Sequence, residues 1–348
     1  MRVLDDAAVG PFERVVYAVD EACGMRAVVA VHCTAPGPAV GGTRFHPYAS
    51  DACATIDALR LAEGMTLKAA ATGLPVGGGK AVIAGDPDRL RSADLWRAYA
   101  AVLELFAGAY YTAEDIGTTV ADMAAVRRHT PYVLGVPDGS AGWDGDPSPL
   151  TARGVVAAIR AAWEADTGAG SLEGVRAVVQ GVGMVGATVA GLLAAEGARL
   201  WVSDAQPARA AAAAAWTGAT VIDPGDALEH PCEVLVPCAI GGVLRPETVA
   251  GLRCRWVVGA ANNQLSDDSV ADRLAELGIG YVPDFIANAG GLIAVAEQLN
   301  GWCAGQVRDR IDGIGDAVRE LIEEAWASGE TTQETALRRT RARLAPAP

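Results

Sequence analysis

The pattern of apolar and polar residues changes near the middle of the chain. In the N-terminal part, alternating apolar runs at 13–19 and 26–32 predict two strands joined as a hairpin. Apolar residues at helical spacing then predict a helix over 51–71, and Gly41 and Gly42 are expected to lead into it. This part therefore combines strands and helices.

The segment 135–149 is polar, rich in Gly, Pro, Ser and Asp, and lacks periodicity, so we place the domain junction there. Beyond it, short apolar runs alternate with helical patterns, which is typical of a parallel, doubly wound sheet. We predict an α/β protein with one domain at 1–140, a second at 141–330, and a C-terminal helix at 331–348 that returns to the first domain. The other expected elements are strands at 81–84, 109–112, 176–180, 199–204, 234–237, 255–259 and 279–283, and helices at 93–107, 119–129, 150–166, 184–196, 289–299, 305–327 and 332–345.

Composition excludes several classes of protein. The chain has 348 residues, of which 51% are hydrophobic, and a net charge of −14. An acidic chain lacks the basic footprint that general nucleic-acid binding needs, and an anionic membrane surface would repel it. No apolar run is long enough to span a membrane, and no signal peptide is recognisable, so we expect a cytoplasmic protein. Seven scattered cysteines without a C-x-x-C motif predict reduced thiols and no metal site.

The basic residues are unevenly divided. Of 28 basic residues only two are lysines, Lys68 and Lys80, and they flank a glycine run. Arginine keeps its proton in proteins, whereas a desolvated lysine can lose it. The two lysines therefore indicate positions where arginine would fail, although chance survival is the alternative.

A glycine motif opens the second domain. Gly181, Gly183 and Gly186 form G-x-G-x-x-G between a predicted strand and a predicted helix, and Asp204 ends the next predicted strand. In a Rossmann fold such glycines form a tight turn, admit a pyrophosphate and allow close helix packing. The acidic residue accepts hydrogen bonds from the ribose and repels a 2′-phosphate. We therefore predict NAD as the cofactor.

The candidate chemistry of the first domain lies in three short stretches. These are Met65–Lys68, Gly77–Lys80 and Thr112–Asp115. A lysine near a second cation can act as a general base, and a carboxylate can move protons. Asp115 has an alternative role as a helix N-cap, because Gly117-Thr118-Thr119 precedes a predicted helix.

At these residues the chain resembles the amino acid dehydrogenases, the group of leucine, valine and phenylalanine dehydrogenases related to glutamate dehydrogenase. The resemblance is nearly end to end. It is carried by Gly37–Arg44, Gly64–Lys68, Val76–Lys80, Thr112–Asp115, Asp146–Pro149, Gln180–Gly183, Pro237–Ala239, Gly259–Gln264 and Pro283–Gly291.

The resemblance implies a substrate-binding and oligomerisation domain, a Rossmann-type NAD domain, and catalysis in the cleft between them. Lys68 would bind the substrate carboxylate, and Lys80 would activate the attacking water. Asp115 would exchange protons with the amino group, while Gly41 and Gly42 would line the site. The cofactor residues implied are Gly181, Gly183, Met184, Val185, Gly186, Asp204, Thr151, Cys238, Ala239, Ala260 and Asn262, with Asn262 and Asn288 also placed near the substrate.

The resemblance also implies the reaction. An L-amino acid would be converted to its 2-oxo acid and ammonia by a homo-oligomer that uses NAD and no metal. Side-chain selection in the family involves the positions of Val40, Ala113, Leu292 and Val295, which are all apolar here. Branched aliphatic substrates therefore fit best.

Alternatives stay open at this stage. Phenylalanine is the second candidate substrate, and a catalytically silent NAD-binding protein is the alternative of another class. A 2-hydroxy acid dehydrogenase would need a histidine in a catalytic stretch, and the four histidines lie elsewhere. The segment Ala141–Gly145 departs from the family pattern, and its Trp143 is expected either at the site or packed on the surface.

Overall fold

The structure is a computed structural model that describes residues 12–137 and 146–344. The chain divides into two compact units. Within the described residues, the first unit comprises 12–137, Asp146, Val295–Ala304 and 343–344, and the second comprises Pro147–Ala294 and Gly305–Ala342. Trp143 lies outside the described residues.

This division differs from the predicted domain bounds at the C-terminal end. Of the helix predicted at 331–348, the described residues up to Ala342 belong to the second unit, and residues 343–344 group with the first. There the Arg343 guanidinium donates to the carbonyls of Ala70 and Ala71, at 2.8 and 2.7 Å.

The first unit contains a five-stranded mixed sheet. Its strands are β1 (Arg14–Asp20), β2 (Met25–Cys33), β3 (Ala39–His46), β4 (Gly77–Ala84) and β5 (Tyr110–Glu114), and its helices are α1 (Asp51–Ala71), α2 (Pro87–Leu90), α3 (Ala93–Glu104) and α4 (Val120–Arg127). The strand order is β1-β2-β4-β3-β5. The pairs β1–β2 and β2–β4 are antiparallel, whereas β3 runs parallel to both β4 and β5. The predicted hairpin is confirmed.

Each face of this sheet packs against different helices. On one face, Ala30 and Val82 join Ala58 and Ala62 of α1 in a buried cluster. On the other face, residues of β2–β5 pack with α3 and α4, for example Phe45 against Trp96. Because side chains alternate along a strand, each sheet position can be assigned to one of these faces.

The second unit contains a six-stranded parallel sheet. Its strands are β6 (Arg176–Gln180), β7 (Arg199–Ser203), β8 (Thr220–Val221), β9 (Val234–Pro237), β10 (Trp256–Val257) and β11 (Gly280–Tyr281), in the order β11-β10-β9-β6-β7-β8. The helices that follow are α5 (Ser148–Thr167), α6 (Met184–Ala195), α7 (Pro207–Thr217), α8 (Pro246–Val249), α9 (Ser269–Glu276), α10 (Asp284–Ala287), α11 (Gly290–Asn300), α12 (Ala304–Ser328) and α13 (Thr332–Leu344), with α11 and α13 extending into the first unit. The order reverses between β6 and β9, which is the doubly wound arrangement that the alternation predicts.

Two glycine-rich stretches were predicted incorrectly. Gly41 and Gly42 do not lead into α1 from a loop but lie inside strand β3, between β4 and β5. Strand β4 begins at Gly77, so it includes the glycine run that was expected to precede it. Glycine ordinarily weakens a strand. Here a Cβ on Gly41 would collide with the Gly79 carbonyl, so these positions require the absence of a side chain.

No helix among the residues that the structure describes has the length and apolarity needed to cross a membrane.

Candidate active site

A buried ion pair lies at the centre of the first unit. Lys80 belongs to β4, and Asp115 directly follows the last residue of β5. Lys80 Nζ lies 2.9 Å from Asp115 Oδ2, and the two side chains are 6% and 16% exposed. The structure thus brings together two of the three residues that the sequence predicts as catalytic.

The ion pair faces helix α1. Lys80 stands opposite Ala30 in the antiparallel β2–β4 register, and Ala30 belongs to the cluster beneath α1. Residues opposite each other in an antiparallel pair project to the same side. The Lys80 side chain therefore leaves the sheet on the α1 face.

The predicted pocket residues of β3 and β5 project from the same face. Ala39 and Phe45 pack on the α3 side of the sheet. Because successive residues of a strand face opposite sides, Val40 and Gly42 lie on the α1 side. In the β3–β5 register Gly42 stands beside Ala113. Val40 and Ala113 are buried, with exposures of 1% and 6%. Lys80 and Asp115 are thus accompanied by small and apolar residues on one face of the sheet.

Lys68, the third predicted catalytic residue, lies in the last turn of α1 and is half-buried. The C-terminal half of α1 runs directly over the glycine run, because a Cβ on Gly78 would collide with the backbone of Thr66. The structure therefore places Lys68 on the helix that covers the face from which Lys80 projects.

Arg44 is a member of the site that sequence reasoning did not single out. Its Nε lies 3.1 Å from Asp115 Oδ2, the same oxygen that Lys80 contacts. Its Nη1 lies 3.0 Å from Asp57 Oδ2 on α1, and the Tyr48 hydroxyl donates to that same oxygen. Arg44 is two residues beyond Gly42 on a buried strand, so strand periodicity would have placed it on the same face.

These contacts shift the proton affinities of the pair. Burial lowers the pKa of Lys80, and the nearby Arg44 charge lowers it further, against the opposing pull of Asp115. Burial alone would raise the pKa of Asp115, but Lys80 and Arg44 together hold it at about 2. Asp115 is therefore a carboxylate at neutral pH, and Lys80 gives up its proton more readily than an exposed lysine.

The alternative role of Asp115 as a helix cap is not found. Thr119 caps α4 by accepting from the backbone N–H of Asp122, whose side chain accepts from the Thr119 N–H in turn. The Asp115 side chain instead contacts Lys80 and Arg44.

Glycines allow the strands to approach each other closely beside the ion pair. A Cβ on Gly42 would lie 2.5 Å from the Glu114 carbonyl oxygen and 2.8 Å from the Asp115 Cβ. The Gly41 carbonyl accepts a hydrogen bond of 2.7 Å from the buried Tyr110 hydroxyl on the opposite face. The structure therefore places Gly41 and Gly42 on β3, next to the Lys80–Asp115 pair.

The remaining predicted pocket residues lie on α11. Leu292 and Val295 are both buried, at 6% and 7% exposure. Leu292 groups with the second unit and Val295 with the first. In the second unit, a Cβ on Gly291 would lie 2.7 Å from the Thr151 hydroxyl, which itself donates to the Pro147 carbonyl at 2.9 Å.

The glycine motif of the second unit is shaped for a dinucleotide. Gly181 has φ +87°, and a Cβ there would meet Ala239 at 2.7 Å. A Cβ on Gly186 would collide with the Gly181 carbonyl and lie 3.0 Å from the Cβ of Cys238. Around Gly183 nothing lies within 4 Å of such a Cβ, so the approach to the α6 N-terminus is open.

Buried polar atoms beside this turn support the same interpretation. Gln180 and Ser203 are the last residues of β6 and β7. Neither Gln180 Oε1 nor Ser203 Oγ has a hydrogen-bond partner. Asp204 Oδ2 accepts from the Val182 N–H at 2.9 Å, and its Oδ1 accepts from the Gln206 N–H at 2.8 Å. Asp204 therefore also organises the glycine turn, a role that the sequence did not suggest.

The other predicted cofactor residues surround the ends of β6, β9 and β10. Met184 is exposed and Val185 half-buried in the first turn of α6. Burial raises the pKa of the Cys238 thiol to about 12, so the thiol is neutral. Asn288 Nδ2 donates to Asn262 Oδ1 and to the Ala260 carbonyl, both at 3.0 Å, while Asn288 Oδ1 is buried without a partner. The structure thus brings Asn262, Asn288 and Ala260 together.

A separate cavity of about 330 Å³ lies at the amino ends of β10 and β11, lined in part by Asp166, Arg255 and Trp326. None of the predicted site residues lines it. Arg255 is paired with Asp166 at 2.8 Å, so these charges neutralise each other. Among the described residues, no group of His, Cys, Asp and Glu is arranged to hold a metal ion.

Comparison with known proteins identifies the family. Residues 13–132 match the family model "Glu/Leu/Phe/Val dehydrogenase, dimerisation domain", and residues 203–345 match "Glutamate/Leucine/Phenylalanine/Valine dehydrogenase". Together they cover more than half of the chain.

Individual relatives agree with the family models. The chain is 41% identical to a leucine dehydrogenase of Bacillus subtilis (strain 168), with 91% of this chain and 87% of the relative covered. It is 39% identical to a phenylalanine dehydrogenase of Bacillus thermotolerans, with coverage of 95% and 88%. Its fold is similar to that of the crystal structure of L-tryptophan dehydrogenase from Nostoc punctiforme, with a TM-score of 0.79, 35% identity and 96% of both chains covered. The chain therefore belongs to the glutamate/leucine/phenylalanine/valine dehydrogenase family and is an amino acid dehydrogenase.

Proposed function

We propose that this enzyme catalyses the reversible, NAD-dependent oxidative deamination of branched aliphatic L-amino acids. The observation that carries the proposal is the Lys80–Asp115 ion pair on a sheet face lined by Val40 and Ala113. The charged pair suits proton transfer at an amino acid backbone. The apolar residues suit an aliphatic side chain and offer no partner to a distal carboxylate.

The substrate half of the site provides three distinct roles. Lys68 would hold the α-carboxylate as a cation. Asp115, which keeps its negative charge at neutral pH, would accept a proton from the substrate amino group and later return one to the departing ammonia. Lys80 would take a proton from water. Its lowered pKa helps it to reach the neutral form that this step needs.

The order of these proton transfers follows from the bonds involved. Loss of hydride from the α-carbon leaves an iminium ion. Water attacks the iminium carbon while neutral Lys80 accepts the water proton, which forms a carbinolamine. The C–N bond then breaks as the hydroxyl proton leaves and the nitrogen gains a proton, so that the 2-oxo acid and ammonia result. The Lys80 ammonium also stabilises the oxygen on which negative charge develops.

NAD, when bound, supplies the hydride acceptor. Gly181, Gly183 and the α6 N-terminus would hold its pyrophosphate, and Asp204 would hold the ribose. The other residues proposed to contact the cofactor are Met184, Val185, Gly186, Cys238, Ala239, Ala260, Asn262 and Thr151. Preference for NAD over NADP follows from the Asp204 carboxylate, which would repel a 2′-phosphate.

Phenylalanine is the second candidate substrate, favoured by the 39% identity to a phenylalanine dehydrogenase. Apolar pockets discriminate by only about 1–3 kcal/mol per methylene, so overlapping activities are expected. The homo-oligomer proposed for this chain is supported by the match of 13–132 to a dimerisation domain.

The direct test is NADH formation with a panel of L-amino acids at alkaline pH, with 2-hydroxy acids alongside. We expect the highest kcat/KM with valine, leucine or isoleucine. Higher kcat/KM with phenylalanine would replace the aliphatic assignment, and turnover of 2-hydroxy acids alone would overturn the proposed reaction.

Lysine-to-arginine variants test the two lysines separately. Arg at position 80 cannot lose its proton, so kcat should fall about 10²–10⁴-fold. Lys68→Arg retains a cation for the carboxylate but alters its reach, so KM should rise most. Asp115→Asn should resemble Lys80→Arg in kcat. Steady-state kinetics measure all three variants, with thermal unfolding and NAD affinity as controls. A folded Lys80→Arg enzyme with near-wild-type kcat would remove Lys80 from the mechanism.

Replacement of Asp204 tests the cofactor assignment. Asp204→Ala removes the ribose acceptor and the repulsion of a 2′-phosphate, so NAD should bind more weakly and the preference over NADP should shrink. The ratio of kcat/KM for the two cofactors measures the effect. Equal values for NAD and NADP in the wild-type enzyme would contradict the assignment.

Val40→Lys tests the pocket. A lysine at this buried position would place an unpaired charge beside the aliphatic substrate, so kcat/KM for valine and leucine should fall sharply. The matched control is Val40→Leu, which stays apolar and should change the ranking of substrates with a smaller loss. Unchanged kinetics for Val40→Lys would show that Val40 does not face the substrate.

A further inference from the structure

Arg44 connects the candidate catalytic carboxylate to helix α1. Its Nε contacts Asp115 Oδ2 at 3.1 Å, and its Nη1 contacts Asp57 Oδ2 at 3.0 Å. The side chain is only 15% exposed, and both partners project towards it from different elements. A planar guanidinium with several donors can span two carboxylates in this way, whereas an ammonium cannot do so with fixed geometry.

Arg44 and Lys80 approach the same oxygen of Asp115. Lys80 Nζ lies 2.9 Å from it. If Lys80 loses its proton, Asp115 still has a permanent cation as a partner. Without Arg44, the same deprotonation would leave Asp115 as a buried carboxylate with no cationic partner among these contacts, which is costly.

The sum of charges around Lys80 and Asp115 also indicates that Arg44 makes the loss of the Lys80 proton easier. Asp57 and Asp115 carry two negative charges, which Arg44 and protonated Lys80 balance. With Arg44 in place, a neutral Lys80 leaves one net negative charge. With Arg44 removed it would leave two, so the proton on Lys80 would be retained more strongly.

Other titratable groups lie on the elements packed against Lys80. They include Arg60, Glu63 and Lys68 on α1, His32 on β2 and Glu114 on β5. Burial, together with Asp146 and Asp115, raises the pKa of Glu114 to about 7, and burial lowers the pKa of His32. A change in activity near neutral pH must therefore be assigned to Lys80 by direct observation.

We propose that Arg44 is a positioning residue, which holds Asp115 ionised and in place so that Lys80 can release its proton without disrupting the pair. This inference rests on the proposed function, since it assigns to Lys80 and Asp115 the proton transfers described above. Arg44 itself need not touch the substrate.

The presence of only two lysines makes the test direct. Full-length enzyme labelled with ¹³C-lysine should give two side-chain Cε signals, and the Lys68→Arg variant assigns them. The pH dependence of the Lys80 signal then reports its protonation without any assay of activity. The same titration is carried out on Arg44→Gln, Arg44→Lys and Arg26→Gln.

The three variants separate charge from structure. Arg44→Gln removes the cation, so the Lys80 signal should titrate at higher pH, and kcat at neutral pH should fall on the order of 10-fold or more as less of the base is neutral. Arg44→Lys keeps the charge and adds a third lysine signal, which is recognised by its absence from the wild-type spectrum, so the Lys80 titration should stay near that of the wild-type enzyme. Arg26→Gln is the matched control, because Arg26 of β2 also pairs with a carboxylate of α1, Asp51, without contacting Asp115. It should leave both readouts unchanged.

Each outcome decides the inference. A Lys80 titration that is the same in folded Arg44→Gln and wild-type enzyme would overturn it, even if activity fell. An equal displacement in Arg26→Gln would also overturn it, since a general loss of packing would then be the cause. If the displacement is found only in Arg44→Gln but the wild-type enzyme deaminates no L-amino acid, the charge relation stands and the proposed function fails.

Discussion

One oxygen of Asp115 contacts both Lys80 and Arg44, and the surrounding sheet is arranged to make that possible. Lys80 lies on β4, Arg44 on the neighbouring β3, and Asp115 directly after β5, and their side chains meet on one face of the sheet. The central place of β3 is essential, because it carries Arg44 between the other two. Ions buried to this degree are tolerated only when each has a partner in good geometry. The parallel pairing of β3 with β4 and β5 therefore determines the electrostatics of the site.

The same strands account for the glycines. Gly41, Gly42 and Gly77–Gly79 lie where strands and helix approach too closely for any side chain. Beneath them, the hydroxyls of Thr43, Thr112 and Tyr99 form buried hydrogen bonds, and Tyr110 holds the Gly41 carbonyl. One face of β3 is thus fixed by hydroxyl contacts, and the other carries Arg44 beside Asp115 and Lys80. Rigid support of this kind keeps catalytic groups in position.

The sequence predicts the elements with clear periodicity and the residues with unusual chemistry. The hairpin, the long helix α1, the parallel sheet and the glycine turn follow from local patterns, and Lys80 stands out because lysine is so rare in this chain. Strand β3 was missed because Gly41 and Gly42 interrupt its apolar pattern, and its strand character depends on pairing with β4 and β5. Arg44 was missed because one arginine among many carries no signal by itself. Its role appears only when the register brings it beside Asp115, and that is a long-range relation.

The lowered pKa of Lys80 favours release of its proton but reduces the stability of the folded protein. Folding lowers the pKa of Lys80 below its ordinary value, so the unfolded chain holds this proton more tightly. Stability therefore increases as the pH rises from the folded pKa of Lys80 towards 10.5, and the buried ammonium is a burden below that range. Asp115 behaves as a stabilising group: its pKa falls from 3.8 to about 2, so its contribution is present above 3.8 and lost as the pH falls towards 2. A lysine whose buried ammonium costs stability below that range has a use under the proposed function, which needs a proton that can leave next to an ionised carboxylate and a permanent cation.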